Sequence, residues 1–117
     1  MSIRLKRVYD KPAKSDGHRV LVDRLWPRGL KKSEARLDEW LKEIAPSTTL
    51  RKCFAHDPTR WTEFKKRYAA ELDDQPEQVE QLARSAKKRT ITLLFGAKDT
   101  EHNNAVALKE YLMSKVK

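Results

Sequence analysis

Apolar residues recur along this chain in two rhythms, one near period two and one near period 3.6, and together they set out most of the expected elements. "IRLKRVY", Ile3 to Tyr9, places Ile3, Leu5 and Val8 among basic residues in the imperfect alternation of a half-buried strand. "RVLVDRL", Arg19 to Leu25, is more apolar and reads as a second, more central strand. Between them "KPAKSDGH" is loop chemistry, with Pro12 and Asp16-Gly17 marking turns. The nine residues from Asp10 to His18 are short for a parallel crossover, which usually takes a dozen or more. The relative direction of the first two strands therefore stays open.

The slower rhythm follows. "GLKKSEARLDEWLKEIAPS" carries Leu37, Trp40, Leu41 and Ile44 at helix-like spacing before Pro46 stops it, with a short irregular strand as the alternative. Ser47 has the chemistry of an N-cap for "STTLRKCF". In "HDPTRWTEFKKRYAAELDD" Asp57 can cap, Pro58 suits the first turn, and Trp61, Phe64, Tyr68 and Leu72 share one helical face. "QPEQVEQLARSAKKR" repeats the design, with Pro76 early, Val79, Leu82, Ala83 and Ala86 on a stripe, and basic residues in the last turn. "TITLLFG" then has the length and β-branched composition of a buried strand, "AKDTEHNNA" is its exit loop, and "AVALKEYLMSKVK" closes as a helix aligned on Ala105, Leu108 and Leu112. Strands at the start and near the end, with helices between and after, predict a three-layer α/β fold whose small sheet is mainly parallel and flanked by helices.

Length and composition narrow the class. The 117 residues fit a single α/β domain, residues 1–117. No apolar stretch has the length of a signal peptide or a membrane span, so a cytoplasmic protein that does not engage membranes is expected. The single cysteine, Cys53, permits no internal disulfide and reads as a small inward-facing hydrophobe. The net charge of +9 attracts polyanions and anionic metabolites alike. Lys31-Lys32, Lys65-Lys66-Arg67 and Lys87-Lys88-Arg89 are scattered and often beside acids, the pattern of solvated helix faces rather than of a nucleic-acid stripe.

Chemistry gathers where apolar runs end. In open α/β sheets, ligands bind outside the carboxyl ends of the strands. The second strand exits into Asp23, Arg24, Trp26 and Arg28, and the late strand into Lys98, Asp99, His102 and Asn103. If those strands are parallel, both exits share a rim that Ser47 and Arg51 can reach. Arginine forks, a lysine and a helix start suit phosphate or carboxylate. The duller readings stand beside this one: Trp26 and Trp40 as packing, Asp23 with Arg24 as a local ion pair, Asp99 as a helix cap, and "HDP" at His56 as a helix entry. The sequence has no glycine-rich phosphate loop, H-E-x-x-H, C-x-x-C or G-x-S-x-G. The spacing of His56, Asp57, Asp99 and His102 is too nonspecific for a metal site, so neither metal nor cofactor is expected.

Taken together, "DGHRVLVDRLWPRG", "LDEWLKEIAPS", "LRKCFAHDPTRWTEFKKRYAAEL" and "LLFGAKDTEHNNAVALKEYL" resemble the YeaO-like branch of a bacterial family of domains of unknown function, over nearly the whole chain. The resemblance implies a small cytoplasmic α/β protein with the pattern D-G-x-R, D-R-x-W-P-R-G, A-P-S, H-D-P and A-K-D-x-x-H-N, and it carries no settled activity. Cys53 stands where similar proteins usually have tryptophan, which argues against a thiol nucleophile. Phe95 stands where tyrosine is common.

The leading expectation is a protein, with or without catalysis, that binds an anionic small molecule such as a phosphate-bearing metabolite or nucleotide. Arg24, Arg28 and Arg51 would clamp the anion, with Trp26, Ser47 and Asn103 completing the binding site. Asp23, Lys98, Asp99 and His102 are the candidates for acid/base chemistry. The alternatives are a basic nucleic-acid-binding module and a non-catalytic interaction domain. On the leading reading the ammonium of Lys98 converges with the guanidiniums of Arg24 and Arg28, and Arg24 and Lys98 outweigh Lys65, Lys66, Lys87 and Lys88 in binding.

Overall fold

The run expected as a buried strand, β4 (Ile91–Phe95), lies inside the sheet of the computed structural model, which describes residues 2–115. Every side chain of β4 is buried, as befits a strand covered on both faces. Around it the four strands run in the order β1-β4-β2-β3, where β1 is Ile3–Arg7, β2 is His18–Leu21 and β3 is Glu39–Trp40. All pairings are parallel, with Leu5 and Val20 both in register with Leu93. The architecture is a small α/β fold.

The first two strands are therefore parallel without being neighbours, since β4 lies between them. Their short connection suffices because it carries only the 3-10 turn Lys14–Asp16, and nine extended residues reach roughly 30 Å, more than a five-residue strand of about 17 Å. Gly17 ends this turn at φ +65°, where an added Cβ would lie 2.3 Å from the carbonyl oxygen of Thr90. No other residue fits there without moving the strand.

Alternation along the strands divides the sheet's two faces. Ile91, Leu93 and Phe95 of β4, with Val20 and Val22, meet Leu50 and Phe54 of α2 (Thr48–Phe54), Phe64, Tyr68 and Leu72 of α3 (Trp61–Asp73), Val79, Leu82 and Ala86 of α4 (Pro76–Lys88), and Ala105, Leu108 and Leu112 of α5 (Asn104–Lys115). This is the main core. Val116 and Lys117, the end of the expected closing helix, lie outside the described residues. The opposite face carries a smaller cluster of Val8, Leu21 and Leu94 under Trp26, Leu30, Leu37 and Trp40. Its cover is thin, made of the β1–β2 connection and an irregular segment containing one short helix, α1 (Lys32–Ala35).

The helix suggested by Leu37, Trp40, Leu41 and Ile44 does not form. Arg36 takes the left-handed conformation at φ 46°, and β3 pairs with β2. The four residues belong to different cores: Leu37 and Trp40 pack on the small cluster, Leu41 and Ile44 on the main one. A two-residue edge strand followed by a 3-10 turn at Lys42–Ile44 feeds both faces, and over a few residues that imitates helical spacing. Cys53 also departs from expectation. Leu50 and Phe54 take the buried stripe of α2, and Cys53 beside them is exposed. Among the described residues no helix is long and apolar enough to cross a membrane.

Candidate functional site

The carboxyl ends of the three longer strands meet at one edge, and a cleft of about 300 Å³ opens there. At this edge the chain leaving β2 places Asp23 against the chain leaving β4. Asp23 Oδ2 accepts the Gly96 N–H at 2.8 Å, and Oδ1 accepts the Asn104 side-chain amide at 3.1 Å. The same Asn104 nitrogen donates to the Val22 carbonyl at 2.8 Å. Gly96 is close-packed, since a Cβ there would stand 3.0 Å from Asp23 Oδ2. From the far side Arg7 donates to the carbonyl oxygens of Ala97 (2.9 Å) and Gly96 (3.4 Å), so the β4 exit is held from both directions. Burial pushes the Asp23 carboxyl up from its ordinary range, against the opposing pull of the Gly96 N–H, the Asn104 amide and the Arg51 charge.

Asp23, Arg24, Trp26, Arg28, Arg51 and Asn103 all line this cleft. Their roles differ. Arg24 directs Nε to the Pro46 carbonyl (3.2 Å) and Nη2 to the Ala45 carbonyl (3.0 Å), tying the D-R-x-W-P-R-G segment to A-P-S rather than pairing with Asp23. Trp26 donates from its indole to the Leu30 carbonyl and meets Trp40 edge to face at 5.2 Å, while Trp40 donates to the Asp23 carbonyl. Both indoles buttress the loop. Arg28 is exposed at the cleft, and its carbonyl accepts the Tyr9 hydroxyl at 2.7 Å. Among the described residues the arginines in ion pairs are Arg19, Arg60, Arg67 and Arg84, which leaves Arg28 and Arg51 without a carboxylate partner.

Ser47, Lys98, Asp99 and His102 do not line the cleft. The expectation that Ser47 presents a helix start to the rim is corrected by Glu71, which takes the Ser47 N–H at 2.8 Å and its hydroxyl at 2.6 Å. The hydroxyl oxygen caps α2 by accepting from the Leu50 N–H. Lys98 is exposed beyond the cleft wall, so its convergence with Arg24 and Arg28 is not found. Asp99 accepts the backbone N–H groups of Glu101 and His102, which hold its carboxyl below the usual range, and it also bonds the His102 ring at 3.0 Å. That ring stands edge-on to Trp61 at 5.3 Å. The pair organises the loop, while the cap of α5 is Asn103, whose Oδ1 accepts the Val106 N–H.

Tyr9, Phe54, His56 and Asn104 are among the lining residues that the sequence did not single out for the site. Tyr9 follows β1, so the strand-exit rule finds it once β1 is known to be parallel. Ala55 and His56 both adopt positive φ, a local conformation that no pattern in "CFAHDP" announces. Among the described residues no group of three histidine, cysteine or acidic side chains is disposed to hold a metal.

The family described as the inactive DUF488-N3 subclade matches this chain over residues 2–117. The uncharacterised protein YeaO of Escherichia coli is 50% identical over 114 residues, covering 97% of this chain and 99% of that protein. An uncharacterised protein of Mycobacterium tuberculosis is 36% identical over 110 residues, covering 94% of this chain and 92% of its own. No solved structure matches.

Proposed function

The chain belongs to the YeaO-like family of unknown function described as the inactive DUF488-N3 subclade, and from that premise we propose that it binds an anionic small molecule at the strand-exit cleft without turning it over. One observation carries the reading: Arg28 and Arg51, which have no carboxylate partner among the described residues, line the same concavity as Arg24 at the sheet's carboxyl edge. Guanidiniums without a direct ion pair in a concave site favour phosphate or carboxylate. The cleft is at the small end of the range for ligand sites, suited to a metabolite-sized anion.

Binding is favoured over catalysis on two grounds. The family is an inactive subclade of its group. Of the four side chains put forward for acid/base work, only Asp23 lines the cleft, with His56 as the one imidazole beside it; Asp99 and His102 bond each other in the neighbouring loop. Nucleic acid is the weaker reading, because several helix bases are matched by acids: Lys65 by Glu110, Arg67 by Glu63 and Arg84 by Glu80. The test is calorimetric titration with sugar phosphates, nucleotides and short DNA and RNA across a salt series. Arg51→Ala is expected to weaken small-anion binding about tenfold or more, in keeping with roughly 1.5–3 kcal/mol for a charged hydrogen bond. Tight, salt-sensitive nucleic-acid binding that is lost on neutralising Lys65, Lys66, Lys87 and Lys88, and unaffected by Arg51→Ala, would overturn the proposal.

A further inference from the structure

In an arginine-walled cleft a carboxylate repels a bare anion. Such a carboxylate stands in this cleft. Asp23 lines it together with Asn104, and the hydrogen bonds between them fix which atoms are left to a ligand. An ionised carboxylate offers about four acceptor positions over its two oxygens. The Gly96 N–H takes one on Oδ2 and the Asn104 amide one on Oδ1, so each oxygen keeps acceptor capacity. Asn104 spends its amide nitrogen on Asp23 and Val22, which leaves its carbonyl oxygen as what it can offer. Both groups present acceptors only, and acceptors are satisfied by hydroxyl or amino hydrogens. The cleft also exceeds what a bare anion fills. At about 30 Å³ of liquid volume per water, its 300 Å³ has room for on the order of ten waters, well beyond the five heavy atoms of a phosphate.

Resting on the anion-binding reading above, we infer that the ligand is bipolar: a phosphorylated polyhydroxyl compound whose hydroxyls donate to Asp23 and Asn104 while Arg28 and Arg51 hold its phosphate. Asp23 is then the specificity-determining residue. It discriminates against simple anions by repulsion and rewards a hydroxylated ligand by charge-assisted hydrogen bonds. A free sugar phosphate and the sugar phosphate of a nucleotide present the same groups.

The experiment is calorimetric titration of the full chain with ribose 5-phosphate, adenosine 5′-monophosphate, ethyl phosphate and inorganic phosphate at fixed salt, on wild type, Asp23→Asn and Arg51→Ala. Wild type is expected to bind at least one hydroxylated phosphate about tenfold or more tightly than ethyl phosphate. Asp23→Asn should shrink that ratio severalfold while leaving ethyl phosphate binding equal or tighter; Arg51→Ala should weaken every ligand. A nucleotide that outbinds ribose 5-phosphate identifies the nucleotide as the source, and equal binding identifies the free sugar phosphate; both support the inference. Equal affinity of wild type for ethyl phosphate and ribose 5-phosphate, still dependent on Arg51, overturns the bipolar ligand and leaves anion binding standing. Absence of binding by all four phosphates overturns both. The wild-type ratio needs no variant to fold, and circular dichroism of Asp23→Asn separates lost selectivity from lost structure.

Discussion

The D-G-x-R segment and the D-R-x-W-P-R-G segment follow closely in the chain and use the same charged residue types, yet one is closed and the other open. In the first, Arg19 is 4% exposed; it donates to Asp16, to the Ala35 carbonyl at 2.8 Å and to the Arg36 carbonyl at 3.1 Å. Asp16, 3% exposed, also accepts from Lys6 and from the Ala13 N–H, and its own carbonyl accepts from the buried Thr92 hydroxyl. That network pins the β1–β2 connection and the end of α1 to the thin face of the sheet. In the second, Asp23 holds one protein donor per oxygen, and Arg28 lines a cleft with Arg51 of α2. What separates a structural ion pair from a candidate ligand site is therefore saturation, not composition. A buried charge with every bond made serves the fold, while a partly exposed one with bonds to spare can serve a ligand.

Breaking the closed network should have the largest effect. Arg19→Ala leaves Asp16 only Lys6 and the Ala13 N–H and frees the Ala35 and Arg36 carbonyls, and is expected to cost roughly 3 kcal/mol, read from the denaturation midpoint in urea. Whatever still folds should bind anions as before. Arg51→Ala should do the reverse, with about tenfold or greater loss of binding and a stability change within about 0.5 kcal/mol by the same denaturation. A large stability loss from Arg51→Ala would erase the distinction between the two regions.

Acid sharpens the contrast, because the two aspartates shift in opposite directions. Burial raises the Asp16 carboxyl, but its bonds to the Ala13 N–H, Lys6 and Arg19 outweigh this and hold it below the ordinary 3.8. Its contribution to stability is present above 3.8 and is lost as pH falls through the lowered value. Asp23 is raised by burial, so the folded state holds its proton more tightly than the unfolded chain does. Its contribution is fully present below 3.8 and declines as pH rises through the raised value. Stability measured against pH for wild type, Asp16→Asn and Asp23→Asn should give wild-type-minus-variant differences of opposite slope. The same slope for both would refute the assignment. The smallest effect belongs to Cys53→Ala, which is expected to change stability by no more than about 0.5 kcal/mol because the thiol is exposed.

Long apolar periodicity was legible in the sequence. The stripe from Phe64 to Leu72, the α4 stripe and the β4 run all form as their spacing indicates. The segment from Leu37 to Ile44 misled because a two-residue edge strand and the 3-10 turn after it supply two cores, a partition that only the assembled sheet creates. At the candidate site, the strand-exit rule located Asp23, Arg24 and Arg28, since it depends on strand ends alone. It overreached at Lys98, Asp99 and His102, where the loop turns on its own hydrogen bonds before reaching the cleft. Ser47 was legible as a cap, but not as a partner of Glu71, twenty-four positions along the chain. Long-range pairings of single polar residues leave no periodic trace.

The central claim is that an anion sits at the strand-exit edge. Its most direct measurement is the change in backbone amide NMR shifts as ribose 5-phosphate is titrated at near-physiological salt. The account predicts saturable changes concentrated at Asp23 to Arg28, Arg51, His56, Gly96, Ala97 and Asn104, with Asp16 and Arg19 unmoved. Changes centred instead on Lys65, Lys66, Lys87 and Lys88, or a spectrum that does not respond at saturating ligand, would contradict it.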